Sequence, residues 1–457
     1  MDLSNGHRIG IIGGGPAGAL TAYYLLHLSQ RVGLHLEVDI YEPKSFIAAG
    51  ASGCNHCGGV ISETLIQMLA LEGIIFPPGI LQSTIDSYTL HTESGAVRIQ
   101  APLQEMRIAT IFRGGGPRIP LIPGAPAILS FDHFLLQRAC AIGARHIPEK
   151  VVEIRREGDR PQVVGKSGTA TTYDFLVGAT GIMGSATTLL EKGVAGYRPP
   201  VKGSSYVCEF YLGPDVVEER IGHDMHIFFL NIPGIQHASI MPKGAIVTVC
   251  LVGDAVDKAM VDHFLAHPEV TKCFPVAWVR PPDKDSCACT PKISLGSASM
   301  LFGHRVAFTG DCGVTRLYKD GIGAAYRTAR ACATTLVFWG ISPAVLERYF
   351  QPVCAAIAAD NRLGRWVFHL FELFRTQRFL NRAVLAVTRW EQGRPPEQRL
   401  MSMTLWDVFS GSATYRLIFK RLFLNPVFLV RFAGAVLLAL MVELGVGPWA
   451  FWRKMRR

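Results

Sequence analysis

Six residues near the N-terminus, Gly13 to Gly18, have the spacing of a turn that binds phosphate groups. The run is G-x-G-x-x-G, and it directly follows an apolar, β-branched segment that begins at Arg8. In such a turn Gly13 permits the tight bend, Gly15 lets the backbone approach a pyrophosphate, and Gly18 lets the next helix pack on the strand. The spacing therefore predicts a site for a dinucleotide.

The elements around this turn have the order that a dinucleotide site requires. The run from Ala17 to Leu28 is rich in helix-forming residues, and a helix beginning at Pro16 and Ala17 would direct N–H groups towards the phosphates. A second strand, from Leu36 to Tyr41, ends at Glu42, whose carboxylate can accept hydrogen bonds from ribose hydroxyls. Strand, turn, helix and terminal acid together predict a nucleotide-binding α/β domain.

Three later segments resemble parts of the FAD fold of the glutathione-reductase type. The run from Asp174 to Gly181 is similar to its D-x-x-x-x-A-T-G strand and turn. Gly310-Asp311 is similar to its G-D element, in which the aspartate binds the ribityl chain. The run Gly321-Ile322-Gly323 then begins a helix whose N-terminus would face the flavin. This resemblance implies FAD as the bound dinucleotide.

Residues 7 to 340 as a whole resemble the geranylgeranyl reductase family of FAD-dependent oxidoreductases, which has a p-hydroxybenzoate hydroxylase-like fold. The most discriminating motif is Cys57-Gly58-Gly59, because members of the family carry C-G-G beside the flavin. The other segments that carry the resemblance are the glycine motif with Glu42, Phe131-Asp132, Gly143-Ala144, Ala179-Thr180-Gly181, Met241-Pro242-Lys243-Gly244, and Gly310-Asp311 with Gly321 and Gly323. By this resemblance Gly58 and Gly59 contact the flavin, and Cys57 lies near the isoalloxazine ring and the substrate double bond.

The resemblance implies an enzyme that reduces C=C bonds of a geranylgeranyl-type isoprenoid lipid at a membrane, by hydride transfer from reduced flavin. The second carbon must receive a proton, for which Cys57, Tyr318 or a flavin-bound water are the candidates. The chain has no second G-x-G-x-x-G, so NAD(P)H as the electron donor would bind only transiently, and ferredoxin or a quinol stay open. Two other functions also stay open: a flavin-dependent monooxygenase that hydroxylates a lipid or quinone, and a flavoprotein that carries electrons to the quinone pool.

Cys54 and Cys57 have C-x-x-C spacing, which is compatible with a zinc half-site or a redox dithiol. The only other close pair, Cys287 and Cys289, has C-x-C spacing and no histidines at matching positions. We therefore expect no metal and interpret Cys57 as a cysteine packed at the flavin wall. The odd total of 11 cysteines, mostly isolated in apolar runs, indicates reduced thiols rather than a disulfide framework.

The 457 residues are 49% apolar and 18% charged, which excludes a disordered chain and allows two or three domains. The net charge of +10 belongs to the tail, because 16 Lys+Arg face only 5 Asp+Glu from Arg362 onward. Basic residues among Phe, Trp and Leu favour an anionic lipid surface as partner, and we expect no nucleic-acid binding. A polar N-terminus runs straight into the first strand, without the pattern of a secretory signal, so we expect the body to be cytoplasmic.

Alternating segments between about Ser83 and Pro126, and again from Tyr206 to Asp254, predict antiparallel strands that interrupt the α/β pattern. The predicted fold is therefore α/β, with a glutathione-reductase-type Rossmann domain for FAD and an inserted antiparallel-sheet substrate domain. The FAD domain comprises residues 7–82, 127–185 and 299–340, and the substrate domain residues 83–126 and 186–298. Residues 341–457 are expected to form a separate helical region.

Two segments of this helical tail have the pattern of membrane-associated helices. Leu363 to Trp390 has polar residues along one helical stripe and aromatic residues elsewhere, which favours a lipid interface over packing on the FAD domain. Asn425 and Pro426 are a good N-cap and first residue for an apolar helix that extends to Val446. Both of its flanks are basic, so we favour a monotopic or re-entrant anchor on the cytoplasmic face over a single crossing.

Overall fold

The computed structural model describes residues 2–55, 58–118, 128–276, 278–281 and 287–445. The β-strands within these ranges are β1 (Arg8–Ile12), β2 (Glu37–Tyr41), β3 (Val60–Ser62), β4 (Leu81–Ile85), β5 (Ser87–Thr92), β6 (Gly95–Gln100), β7 (Ile108–Ile111), β8 (Arg145–Ile147), β9 (Val151–Glu157), β10 (Arg160–Gly165), β11 (Ala170–Thr172), β12 (Phe175–Gly178), β13 (Lys202–Tyr211), β14 (Asp224–Phe229), β15 (Ile235–Lys243), β16 (Ile246–Gly253), β17 (Cys287–Cys289), β18 (Lys292–Ser294), β19 (Phe302–Gly303) and β20 (Val306–Phe308).

The α-helices of the same ranges are α1 (Pro16–Arg31), α2 (Glu63–Leu71), α3 (Phe131–Ala141), α4 (Ser185–Gly193), α5 (Pro214–Arg220), α6 (Lys258–Leu265), α7 (Pro268–Thr271), α8 (Gly321–Phe338), α9 (Pro343–Tyr349), α10 (Gln351–Thr376), α11 (Arg378–Gln392), α12 (Leu400–Ser410), α13 (Tyr415–Phe423) and α14 (Pro426–Glu443). The helix predicted to begin at the glycine motif is thus α1, and the helix predicted to begin at Gly321 is α8.

A six-stranded sheet in the order β19-β20-β12-β1-β2-β8 holds the glycine motif. All neighbouring strands from β20 to β8 are parallel, and only β19 is antiparallel. Successive residues of the central strand β1 face opposite layers: Ile9 and Ile11 pack with α1, α3 and α8, whereas Ile12 packs with α4 and the small sheet β9-β10-β11. Burial on both faces explains the nearly continuous apolar run of this strand.

A second, eight-stranded sheet has the order β17-β13-β16-β15-β14-β5-β6, with β18 pairing to β13. Its neighbours are antiparallel except β5 and β14, which run parallel. Side chains of β14 alternate between two hydrophobic cores: Met225, Ile227 and Phe229 face one, and Phe228 faces the other, which contains α5, α6 and α7. Most of the predicted antiparallel strands therefore lie in this sheet, whereas β4 and β7 pair with β3 in a separate three-stranded sheet.

The helices after α9 are not separate from the body, contrary to the prediction. They pack on the face of the eight-stranded sheet that carries Met225 and Phe229. The indole of Trp406 in α12 stacks on the Tyr88 ring at 4.2 Å between ring centroids, and its Nε1 donates to the Met106 carbonyl at 2.9 Å. Trp406 and Tyr88 are both fully buried, so this face would expose large aromatic side chains without the C-terminal helices.

The structure of the segment from Leu363 to Trp390 also differs from the prediction, which was a single helix that faces lipid. It forms parts of two helices, α10 and α11, which are separated at Gln377, where the backbone is extended (φ −104°, ψ 111°). Phe371 of α10 packs against the Phe229 ring of the sheet at 5.4 Å, and Leu385 of α11 is buried in the same core. The apolar stripe read from the sequence therefore contacts protein in these two helices.

Helix α14 begins as predicted: the Asn425 side chain accepts from the Phe428 backbone N–H at 3.1 Å, and Pro426 is the first residue. It ends at Glu443, before the predicted Val446. Among the described helices it is the one that is long and apolar enough to cross a membrane, with 18 residues, a mean hydropathy of 1.9 and 11% of its residues buried. Its length corresponds to about 27 Å.

Candidate functional site

A deep cleft of about 1840 Å³, including its open mouth, lies between the two large sheets. At one end it meets the carboxyl ends of β1, β12 and β20, where doubly wound α/β sheets bind their ligands. Of the predicted cofactor-binding residues, the following line it: Gly13, Gly15, Pro16, Ala17, Glu42, Gly58, Gly59, Gly181, Gly310, Asp311, Gly321 and Ile322. Gly18 and Gly323 are buried behind this wall, and Cys57 lies outside the described residues.

Three glycines of the motif differ in what surrounds them. Gly13 has a φ of +108°, and a Cβ there would lie 2.4 Å from the Ala179 carbonyl oxygen. A Cβ on Gly18 would lie 1.8 Å from the Gly13 carbonyl oxygen, so only glycine lets α1 pack against the turn. A Cβ on Gly15 would meet only the Asn55 amide at 3.2 Å and the Asp132 carboxylate at 4.0 Å. Gly15 therefore leaves the space in front of the helix N-terminus open.

The Glu42 carboxylate is part of the turn itself. It accepts from the Gly14 backbone N–H and from the Lys44 backbone N–H, both at 2.9 Å. Glu42 is buried, and desolvation raises the pKa of its carboxyl, although these two hydrogen bonds oppose the shift. Carboxylate oxygens have more than one lone pair each, so Glu42 can hold the turn and still accept from a hydroxyl in the cleft.

The second wall of the site comes from segments far along the chain. Gly310 has a φ of +66°, and a Cβ there would lie 2.7 Å from the Ala17 Cβ, so the G-D element touches the first turn of α1. Asp311 follows at the cleft surface. Burial raises the pKa of its carboxyl, whereas the Thr315 side chain and the Arg113 charge lower it. The structure thus brings together the segments that the sequence analysis assigned to one cofactor.

A buried ion pair beside Gly15 was not identified from the sequence. Arg113 donates through Nε and Nη2 to the two oxygens of Asp132, which is fully buried, and Asn55 also donates to Asp132. Arg113 lines the cleft, so a guanidinium lies next to the place where a pyrophosphate would approach Gly15. Arg113 follows β7 in a glycine-rich loop, where the sequence has no periodicity that could mark a functional residue. Of the two residues of the ion pair, only Asp132 belonged to a motif used in the sequence analysis.

The loop before α8 is strained. Tyr318 and Asp320 have φ values of +61° and +57°, and among the described residues Arg305 is the only other non-glycine with a positive φ. Such conformations cost about 1–3 kcal/mol each and accumulate at functional sites. A Cβ on Gly323 would lie 2.1 Å from Asp320 Oδ1, so Gly323 makes room for this carboxylate rather than for a cofactor.

The other end of the cleft is formed by the eight-stranded sheet and α12 and has both apolar and polar side chains. Its walls contain Val207, Met225, Met241, Cys250, Val252, Ile293 and Phe409. Polar side chains also line this end, among them Ser205, Ser239, Ser294 and Lys319, and the rings of His237 and Tyr318 lie there 6.2 Å apart. Complete burial lowers the pKa of His237 to about 3, and the Lys319 charge acts in the same direction, so the imidazole is neutral at pH 7. Burial raises the pKa of Tyr318, which stays protonated.

Cys54 of the first cysteine pair of the sequence analysis lies near Cys289 of the second. Burial raises the pKa of the Cys289 thiol, and the neighbouring Cys54 and Cys287 thiols contribute to the shift. Cys287 and Cys289 lie on β17, at the edge of the eight-stranded sheet. Cys54 immediately precedes Asn55 at the cleft, whereas Cys57 lies outside the described residues. The spacing of the cysteines in the sequence did not indicate that Cys54 lies near Cys289.

The fold is that of FAD-dependent flavoproteins. A flavoprotein/dehydrogenase from Cytophaga hutchinsonii is similar over 94% of this chain and 99% of its own, with a TM-score of 0.63 and 13% identity. A geranylgeranyl bacteriochlorophyll reductase-like protein from Thermoplasma acidophilum is similar over 95% and 100%, with a TM-score of 0.62 and 12% identity. A halogenase, PltM, in complex with phloroglucinol and FAD is similar over 97% and 93%, with a TM-score of 0.59 and 12% identity. No protein-family model and no curated protein sequence matches the chain.

Proposed function

We propose that this protein is an FAD-dependent oxidoreductase that reduces C=C bonds of an isoprenoid lipid at a membrane surface. One observation carries the proposal: a single cleft joins a phosphate-binding glycine turn to a chamber that contains apolar side chains. A dinucleotide at the turn would extend along the cleft towards the eight-stranded sheet, and the chamber would hold the substrate at its end.

The residues present fit FAD. Gly15 leaves the N-terminus of α1 open to a pyrophosphate, and the Arg113–Asp132 ion pair lies beside it with its guanidinium at the cleft. Asp311, at the cleft surface, would accept from the ribityl hydroxyls, and Gly321 and Ile322 present the N-terminus of α8 to the same cleft. Bound FAD supplies two-electron chemistry. NAD(P)H or another donor would reduce it in a transient encounter.

The apolar side chains of the chamber would offer an isoprenoid chain dispersion contacts. A neutral imidazole at His237 adds no charge, and Met225 and Met241 are flexible side chains that adapt to an irregular shape. Chain residues here bind the substrate, orient its double bond and exclude water. The Tyr318 hydroxyl, kept protonated by its environment, is the described group that can hold a proton for the second carbon.

Helix α14 supports the location at a membrane. Its residues Phe428, Phe432, Ala435 and Ala439 face the body, where Phe432 packs against Phe374 at 5.9 Å. The opposite side is apolar and exposed, and consists of Val427, Val430, Leu437, Leu438 and Val442. A helix that packs sideways on the body while its outer side is apolar suits an interfacial position on the cytoplasmic face better than a crossing.

Mass spectrometry of isoprenoid lipids and quinones from host membranes, with and without the expressed protein, tests the proposal. We expect products heavier by pairs of hydrogens, and a Gly15→Leu variant should abolish them. One added oxygen would instead establish a flavin-dependent monooxygenase. Unchanged lipids, in a host shown to contain isoprenoid substrates, would contradict the reductase and favour an electron carrier to the quinone pool.

A further inference from the structure

Two histidines and a cysteine converge on the face of the eight-stranded sheet that points away from the cleft. His91 lies on β5, His226 lies on the parallel neighbour β14, and Cys273 follows α7. The His91 Nε2, the His226 Nδ1 and the Cys273 Sγ all lie within 4.8 Å of one another. The cluster is thus formed by three segments that are distant in the sequence and is independent of the cofactor cleft.

The separations of these atoms are close to those of a metal's ligand set. His91 Nε2 lies 2.9 Å from His226 Nδ1, and Cys273 Sγ lies 3.4 Å from the same nitrogen. Tetrahedral zinc, with Zn–N and Zn–S distances of about 2.0–2.1 and 2.3 Å, separates its ligand atoms by roughly 3.3–3.6 Å. Small rotations of the side chains would therefore bring all three atoms onto one ion.

Glu269 orients one of the ligands. Its Oε2 lies 3.3 Å from His91 Nδ1, the ring nitrogen that is not part of the cluster. Histidines that bind metals commonly donate their second ring N–H to a carboxylate, which sets the tautomer and makes the ligand nitrogen more basic. With Nδ1 protonated by this contact, the lone pair of His91 is on Nε2 and points into the cluster.

The surroundings favour a transition metal over a hydrated cation. His91 and Cys273 are buried, and Phe228, Phe264 and Val270 belong to the core around them. Two imidazoles and a thiol are borderline-soft ligands, which suit zinc rather than magnesium or calcium. Without a metal, the thiol is an inert buried group, since burial raises the pKa of Cys273 to about 12.

We propose that His91, His226 and Cys273 bind a zinc ion, with a water molecule in the fourth position. Binding releases the thiol proton of Cys273 to solvent, and the thiolate then bonds to the metal. The ion joins the segment after α7 to strands β5 and β14, on the opposite face of the sheet from Met225 in the cleft. Such an ion would hold this face of the eight-stranded sheet to the segment that follows α7.

Metal analysis and cobalt substitution of the full chain test the proposal. We expect one zinc per chain after purification. After chelation and addition of Co²⁺, we expect tetrahedral d–d bands on the long-wavelength side of the flavin absorption, together with a thiolate-to-cobalt charge-transfer band. Saturating zinc should raise Tm by about 3 °C when its concentration is a hundred times Kd.

Three variants make the test specific. Cys273→Ser should lose the charge-transfer band and most of the zinc, whereas Cys332→Ser, at an equally buried cysteine of the FAD domain, should keep both. Glu269→Gln retains all three ligands and should weaken metal affinity by about 10–100-fold, which keeps the proposal testable if Cys273→Ser does not fold. Zinc below one equivalent in the wild type, or equal binding by Cys273→Ser, would overturn the proposal and leave a hydrogen-bonded histidine pair.

Discussion

The Arg316 guanidinium donates to the Gly411 carbonyl at 2.5 Å, and so joins the loop before α8 to the end of α12. Arg316 is buried, donates also to the Ala413 carbonyl, and stacks over the Tyr415 ring at 4.4 Å. A residue next to the predicted flavin helix is therefore held by the C-terminal helices. These helices are part of the site, because they supply Phe409 to its wall and anchor its strained loop.

Arg316→Ala should lower the free energy of unfolding by about 3 kcal/mol, since it leaves the Gly411 and Ala413 carbonyls without their donor and removes one of the two cations beside Asp320. Arg327→Ala removes the other partner of Asp320, but Arg327 is far more exposed and should cost less than about 1 kcal/mol. Urea unfolding of the two variants measures the difference. Equal losses would show that the link between Arg316 and the C-terminal helices contributes nothing.

Gly15→Leu should remove bound flavin and leave the fold intact, because the new side chain would enter the cleft without striking the backbone. Gly296→Leu is the matched control: nothing lies within 4 Å of its Cβ position, and it does not line the cleft. The flavin absorbance and the far-UV circular dichroism of both proteins decide the outcome. A normal flavin spectrum in Gly15→Leu would remove the nucleotide assignment.

The sequence was sufficient for features that depend on neighbouring residues. The tight turn at Gly13, the close packing at Gly18 and the Asn425 cap all follow from local backbone geometry, and each was predicted from spacing alone. The Arg113–Asp132 pair and the cluster of His91, His226 and Cys273 join segments that are distant in the chain. No periodicity marks such pairs in a single sequence, because the contact is created by the tertiary fold.

The C-terminal helices show a second limit. An apolar stripe on a helix indicates that it is covered, but it does not identify what covers it. Phe371 and Leu385 belong to such stripes and pack on the eight-stranded sheet, so protein and not lipid covers these two positions. The surface that packs against these helices could be identified only from the tertiary fold, in which the face of β14 that carries Phe229 is apolar and has to be buried.

Stability should fall as the pH drops below about 6.5, in part because His237 is held neutral. The unfolded state takes up a proton near the ordinary pKa of 6.5, whereas the folded state takes it up only near 3, so protons favour unfolding between these values. For this one histidine the loss reaches about 2 kcal/mol between pH 6.5 and pH 5. His237→Phe, with Phe368 and Phe409 as neighbours, should show a shallower decline in urea unfolding at pH 5 and 7. An unchanged decline would contradict the assignment.

Tyr318→Phe should slow lipid reduction by about 100-fold or more without loss of flavin, if its hydroxyl provides the proton. Tyr349→Phe alters a tyrosine that stacks on Trp339, away from the cleft, and should react at the wild-type rate. Cys57→Ser tests the other candidate in the same assay. Full activity of Tyr318→Phe together with a slow Cys57→Ser would transfer the role of proton donor to Cys57.

Association with anionic vesicles should depend on the outer side of α14. Leu437 and Leu438 are 63% and 57% exposed, and Arg389, Arg416 and Lys420 lie exposed on neighbouring helices, so apolar insertion and attraction to lipid headgroups act together. Changing both leucines to Gln should reduce sedimentation with phosphatidylserine vesicles and leave flavin content unchanged. Leu71→Gln changes an apolar residue that is 88% exposed on α2, and should sediment like the wild type. If the double variant binds vesicles as strongly as the Leu71→Gln control, α14 is not the membrane contact, and the site must receive its lipid from solution or from a carrier.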